Sequence, residues 1–108
     1  MPKLQQQLSR WAESDLANIF DYTLTTWGEQ QFEKYRSLLE ESFEDIAINP
    51  LLPRSKDRKE LFPGCRSLHV GRHVILYRVK DNAVQIARVL HDSMELELHI
   101  PSEMTASE

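Results

Sequence analysis

Arg66, His69, Arg72, His73, Arg78, Arg88 and His91 recur through three short β-branched and aliphatic runs near the C-terminal end of this chain. Guanidinium groups neutralise phosphate, and an imidazole gives or takes a proton near neutral pH. Those are the parts an RNA-cleaving centre needs: cations around the phosphate and a positioned acid and base. Arg66 and Arg88 would be the phosphate clamps and His73 or His91 the acid or base, with Arg72 and Tyr77 beside them. The same groups would also meet the carboxylates of an acidic protein partner, and Arg66, Arg72, Tyr77, Arg88 and His91 form the partner-binding set. A plainer reading stands beside both. Arg66 and Arg88 pair with acids of the helices, Tyr77 is a core aromatic with its hydroxyl at the rim, and His91 caps a strand end. Structure or partner binding is favoured over catalysis. Arg88 and His91 are three residues apart, so a regular strand points them to opposite faces.

Charge weighs against a nucleic-acid protein. The formal net charge is −4, whereas phosphate neutralisation supplies most of the affinity for DNA or RNA. Acids concentrate in the first half, at Glu13, Asp15, Asp21, Glu29, Glu33, Glu40, Glu41, Glu44 and Asp45, and the bases lie between Arg54 and Arg88. General nucleic-acid binding is not expected, but a local anionic contact is. The single cysteine, Cys65, forms no intramolecular disulfide and has no ligand spacing around it, so neither metal nor cofactor is expected. Its expected role is a small buried side chain. No apolar run is long enough to span a bilayer. Met1-Pro2-Lys3-Leu4-Gln5-Gln6-Gln7 lacks a secretory apolar region, and a cytoplasmic protein is expected.

The elements that must position these residues can be read from periodicity. Leu4 to Ser9 reads as a short polar edge strand, and Ser9 as an N-cap followed by acids. Trp11, Ala12, Leu16, Ile19, Phe20, Thr23 and Trp27 form one helical face. Trp11 and Trp27 are expected in the core first and at a target contact second. Gly28 is a left-handed stop. A second helix follows on Phe32, Tyr35, Leu38, Leu39, Phe43 and Ile46, and Asn49-Pro50 ends it. Residues 51 to 63 read as a loop with a basic run, Arg54-Ser55-Lys56-Asp57-Arg58-Lys59.

Three strands then form an antiparallel meander turned at Gly71-Arg72 and Asp81-Asn82. In the last strand Val84, Ile86, Arg88 and Leu90 are expected to alternate with Ala83, Gln85, Ala87, Val89 and His91. The middle strand is apolar on both faces, so something besides the helices must cover it. Asp92 is expected to cap a helical turn through Glu95. Residues 1–100 are expected to form one α+β domain, an antiparallel helical hairpin packed on a small antiparallel sheet. Residues 101–108 are expected to be a disordered tail.

The order Ser9, Ala12, Asp15-Leu16, Ile19, Tyr22, Trp27-Gly28, Tyr35, Asn49-Pro50, Pro63-Gly64-Cys65-Arg66-Ser67-Leu68, Gly71 to Val79 and Arg88-Val89-Leu90-His91 resembles ParE-type toxins of the RelE/ParE superfamily. The resemblance covers residues 4 to 100. It implies the helical hairpin on a sheet with the first strand at the edge. It implies bacterial type II toxin–antitoxin biology, a hetero-oligomer with a ParD-like antitoxin, and DNA gyrase as the target, bound without hydrolytic chemistry. The RelE-like branch implies the alternative, a ribosome-dependent mRNA endoribonuclease, and an inactive antitoxin-binding homologue is a third reading. The chain departs from the nuclease branch in being acidic, and its Lys56 and Lys59 fall in a loop rather than on the sheet.

Overall fold

The computed structural model describes residues 3–105. Strand β1 (Gln5–Leu8) leads into helices α1 (Arg10–Trp27) and α2 (Glu29–Ile48). Strands β2 (Lys56–Asp57), β3 (Arg66–Val70), β4 (His73–Lys80) and β5 (Ala83–His91) follow, then a 3-10 helix (Leu96–His99) and one helical turn, α3 (Ser102–Thr105). The sheet order is β1-β5-β4-β3-β2, so β1 lies at the edge as expected. It runs parallel to β5, with Gln5 opposite Ala83 and Leu8 opposite Ile86, so the sheet is mixed rather than wholly antiparallel. Strand β2 was not foreseen: inside the expected loop, Lys56 and Asp57 pair with Ser67 and Arg66.

Helix α1 begins where expected, because the Ser9 hydroxyl accepts the Ala12 N–H at 2.9 Å. That bond satisfies a donor the helix itself cannot. Gly28 ends α1 and opens α2: its N–H donates to Leu24 O and its carbonyl accepts the Phe32 N–H, each at 3.0 Å. Its φ of 89° is positive as expected, but its ψ of 175° is not that of a left-handed helical cap. That extended positive-φ conformation is open essentially to glycine. The Phe20 and Phe32 rings meet edge to face at 5.6 Å across the hairpin. Both meander turns form, with Asp81 and Asn82 at φ 54° and 60°, the backbone of a tight hairpin of matching twist.

The helices cover one face of the sheet. Leu39, Phe43 and Ile46 pack there with Leu68, Ile75, Tyr77, Val84, Ile86 and Val89. The second face is covered by the β2–β3 connection and the C-terminal segment: Leu61, Phe62, Cys65 and Met104 pack on Leu76, Ala87 and Leu90. This answers what lies against the other side of β4. It also corrects the tail: Pro101 and Met104 are buried and α3 is ordered against the sheet. Residues 106–108 of that expectation lie outside the described residues. The helical turn expected from Asp92 forms instead at Leu96–His99, after a turn in which Met94 N–H donates to His91 O.

Strand β5 also departs from regular alternation. Leu76 faces Arg88 and Tyr77 faces Ile86, which leaves Ala87 as an extra residue, a bulge. After it the pattern reverses, so Val89 joins the helix-side core and Leu90 the second one. Trp27 is a second correction to the expected core. It is 67% exposed, because the hairpin runs past the sheet: Tyr35 is seven residues beyond Gly28, roughly 10 Å along the helix, and its hydroxyl is already at the sheet end near Val70.

Two glycines rank differently by this geometry. A Cβ at Gly28 would meet nothing within 4 Å, so only backbone strain opposes it. At Gly71 (φ 59°) it would lie 2.7 Å from Tyr35 Cε1. We predict that Gly28→Ala costs about 1 kcal/mol and Gly71→Ala distinctly more. Urea denaturation of both variants checks the ranking, and equal losses would refute it.

Candidate functional site

The sequence-derived site residues divide among three places. Arg66 starts β3 on the helix side and is tied to the connection before it, donating from Nε and Nη2 to Ser55 Oγ at 3.1 and 2.8 Å. Tyr77 is fully buried, and its hydroxyl donates to Pro50 O at 2.5 Å. It thereby fixes the chain leaving α2.

Arg88 lies where β5 loses its neighbour. Strand β1 stops pairing at Ile86, and the start of α1 takes over the exposed edge. The Ser9 hydroxyl donates to Ala87 O at 2.7 Å, and Asp15 accepts the Val89 N–H at 3.0 Å. The Arg88 guanidinium grips Asp15 through Nε at 2.8 Å and Nη2 at 2.7 Å, and donates from Nη1 to His99 O at 2.9 Å. The side chains are 18% and 12% exposed. The pairing of Arg88 with an acid of the helices, one of the readings made from the sequence, is what the structure holds.

Arg72, His73 and His91 do come together, at the turn end of the sheet. His73 faces Val70 on one side and His91 on the other. The two imidazoles meet edge to face at 5.4 Å. The Tyr35 hydroxyl contacts His73 Nδ1 and accepts the Arg72 backbone N–H at 3.3 Å. Burial, with His91 nearby, holds the His73 imidazole below its usual pKa. It is therefore neutral near pH 7, takes the Tyr35 proton on Nδ1 and keeps its own on Nε2. Burial raises the Tyr35 pKa, which keeps that hydroxyl protonated. His91 Nδ1 accepts the Ser93 N–H at 3.1 Å. Asp92 accepts from His69 Nε2 at 2.9 Å, a bond that lowers the carboxyl pKa. His91 and Arg88 still point oppositely, because the bulge precedes both.

The imidazole pair and the arginines expected to clamp a phosphate are thus apart. Arg66 is four residues from Val70, roughly 13 Å along the strand, and Arg88 is committed to Asp15. Sequence reasoning placed Tyr35 in an apolar stripe and Asp15 in an acidic first turn, and missed the role of each. Their signals were a hydroxyl within that stripe and a carboxylate one turn after Ala12. Burial drives the Cys65 thiol up to about 12, so it stays protonated and inert. Among the described residues no cluster of three or more His, Cys, Asp or Glu side chains is placed to hold a metal, and no helix is long and apolar enough to cross a membrane.

The family described as the ParE toxin of type II toxin–antitoxin system, parDE, matches residues 7–96. The chain belongs to this toxin family. It is 35% identical over 94 residues to Toxin ParE1 of Mycobacterium tuberculosis, covering 86% of this chain and 94% of that one. It is 37% identical over 94 residues to Toxin ParE1 of Caulobacter vibrioides, covering 87% and 95%. A solved chain from the chromosomal ParDE TA system of P. aeruginosa shares the fold, with a TM-score of 0.68 and 22% identity over 82% of this chain and 96% of that one. The chain is accordingly a toxin of the ParE family, with the α+β architecture expected from the sequence.

Two predictions follow from the site geometry. Asp15→Ala leaves Arg88 largely buried without its carboxylate and Val89 N–H without its acceptor. It should cost about 3 kcal/mol, and Arg88→Met in the same chain should recover part of that loss. A thermodynamic cycle on the four proteins checks it, and no recovery would show the two side chains to act separately. His73 sets a pH dependence. The unfolded imidazole titrates near about 6.5, above the folded one, so the unfolded state binds more protons as pH falls. The penalty is absent well above that value and grows as pH drops from it toward the folded pKa. Wild type should therefore lose stability between neutral and mildly acidic pH, and His73→Gln should lose less; identical pH profiles would exclude His73 as the cause.

Proposed function

We propose that this ParE-family toxin inhibits DNA gyrase by binding it, and that a ParD-like antitoxin neutralises it in a hetero-oligomer. The observation that carries the non-catalytic reading is the separation just described. Arg66 serves Ser55, Arg88 serves Asp15 and His99, and Tyr77 serves Pro50. A phosphoryl-transfer centre needs its acid, base and cations around one phosphate. The family match over residues 7–96 supports the antitoxin partner. Arg72 in the exposed turn and the half-buried His91 leave hydrogen-bond donors for an acidic partner, with the exposed Trp27, Tyr22 and Leu24 of the hairpin as apolar anchors. Arg66, Tyr77 and Arg88 would act in partner binding by holding this surface in shape.

A second reading has one observation in its favour. His73, His91, Tyr35 and Arg72 are gathered at one end of the sheet, and a ribosome could supply the missing cations. The two readings predict different results for purified protein. The binding reading expects gyrase supercoiling to fail and cleaved DNA to accumulate, with His91→Ala retaining the effect. It expects no cuts in ribosome-programmed mRNA. Ribosome-dependent cleavage abolished by His73→Ala or His91→Ala, with gyrase unaffected, would replace it with the nuclease reading.

A further inference from the structure

A cavity of about 470 Å³ opens on the far side of the molecule from the imidazole pair, between the start of α1 and α3. Gln7, Arg10, Trp11, Arg78, Gln85 and Glu103 line it. Its floor is a polar row across three strands. Gln7 is in register with Gln85, and Gln85 with Arg78. Arg78 Nε donates to Gln85 Oε1 at 2.8 Å, and its guanidinium lies 5.9 Å from the Phe62 ring centroid. Among the described residues, the terminal nitrogens of Arg78 have no hydrogen-bond acceptor. Arg10 stands over the Trp11 ring at 4.5 Å, which fixes its cation at the rim.

The donors here outnumber the acceptors. Gln85 has lent its carbonyl to Arg78 and keeps its NH₂ group, and the guanidinium groups of Arg10 and Arg78 can only donate. Among the described residues lining the cavity, the one carboxylate is Glu103 of α3, which reaches Arg10 Nη2 at 3.4 Å. That contact is long, and its side chains are 78% and 64% exposed. A pair so exposed contributes little and exchanges readily with water or another acid.

We propose that this cavity is a binding site for an acidic side chain on a partner's polypeptide segment, which replaces Glu103 at Arg10 and supplies the acceptor for Arg78. A peptide carboxylate is the chemistry the fold itself already places there through Glu103. A guanidinium with two free terminal nitrogens suits a planar carboxylate, which accepts two parallel bonds. A polyanion fits less well, since Glu103 stands at the rim and the chain carries −4 overall. The proposal rests on the antitoxin reading only for the source of the segment.

The experiment titrates the ¹⁵N-labelled full chain with the blocked peptide acetyl-Ala-Glu-Ala-amide. The expected shifts are in the Gln7 and Gln85 side-chain amides, the Trp11 indole N–H and Arg78 Nε. Glu103→Gln should tighten binding about threefold, the size of an exposed ion pair. Arg78→Gln should abolish the shifts, and Arg78→Lys, which keeps charge but not the fork, should weaken them if the Gln variant fails to fold. Absence of these shifts in both wild type and Glu103→Gln would overturn the proposal. So would an equal response to sodium phosphate, which marks a generic anion site, or to acetyl-Ala-Gln-Ala-amide, which marks amide recognition. Peptide failure with an antitoxin complex intact would remove this site alone. Peptide binding without any antitoxin complex would remove the antitoxin reading alone.

Discussion

The ion pair between Asp15 and Arg88 joins the three layers of the molecule. Strand β5 is paired on both sides only as far as Ile86, and its next residues run along an edge covered by α1. An unpaired backbone in such a place is costly unless its polar groups are met. The first turns of α1 meet them in place of a strand, through Ser9 at Ala87 O and Asp15 at Val89 N–H. A largely buried ion pair stabilises only when its remaining hydrogen-bonding capacity is filled. Here Asp15 accepts two bonds from Arg88 and one from Val89, and Arg88 gives its third to His99 O. The C-terminal segment is thereby fixed to the same point as the helices. The bulge at Ala87 belongs to this arrangement, because it lets β5 serve both cores while Arg88 stays at the edge.

The opposite end of the sheet is built on looser terms. Tyr35 holds it by one hydroxyl shared among Arg72, Val70 and His73. Gly71 is needed there because the Tyr35 ring occupies the space a Cβ would take. Beyond Tyr35 the hairpin has no sheet beneath it, so the apolar stripe that is core nearer Ser9 becomes surface at Trp27. An exposed aromatic at the free end of a hairpin has the make-up of a protein-binding surface rather than a core.

These two ends divide the chemistry of the chain. Arg88 is spent on the fold, and His73 and His91 meet beside the Gly71-Arg72 turn. The polar cavity by Arg78 lies apart from the imidazole pair, next to the Ser9 turn that also caps the Arg88 end.

Local physics made much of this legible from the sequence. The Ser9 cap, the two helical stripes, the break at Gly28 and the turn at Asp81-Asn82 depend on neighbours a few residues away, so residue type and spacing specify them. The double apolar character of β4 announced a covered second face. What covers it was not legible, since Met104 and Leu61 reach the sheet only after long excursions of chain and carry no periodic signal. The parallel docking of β1, the two-residue β2 and the reversal at Ala87 were likewise decided by tertiary pairing. The site shows the same division most sharply. Arg66, Arg72, His73, Arg88 and His91 could be named as the chemically able residues from their types alone. Which of them would face one another depended on Asp15 and Ser55, 73 and 11 residues away in sequence from the arginines they bind, because hydrogen-bond and charge partners are chosen in space.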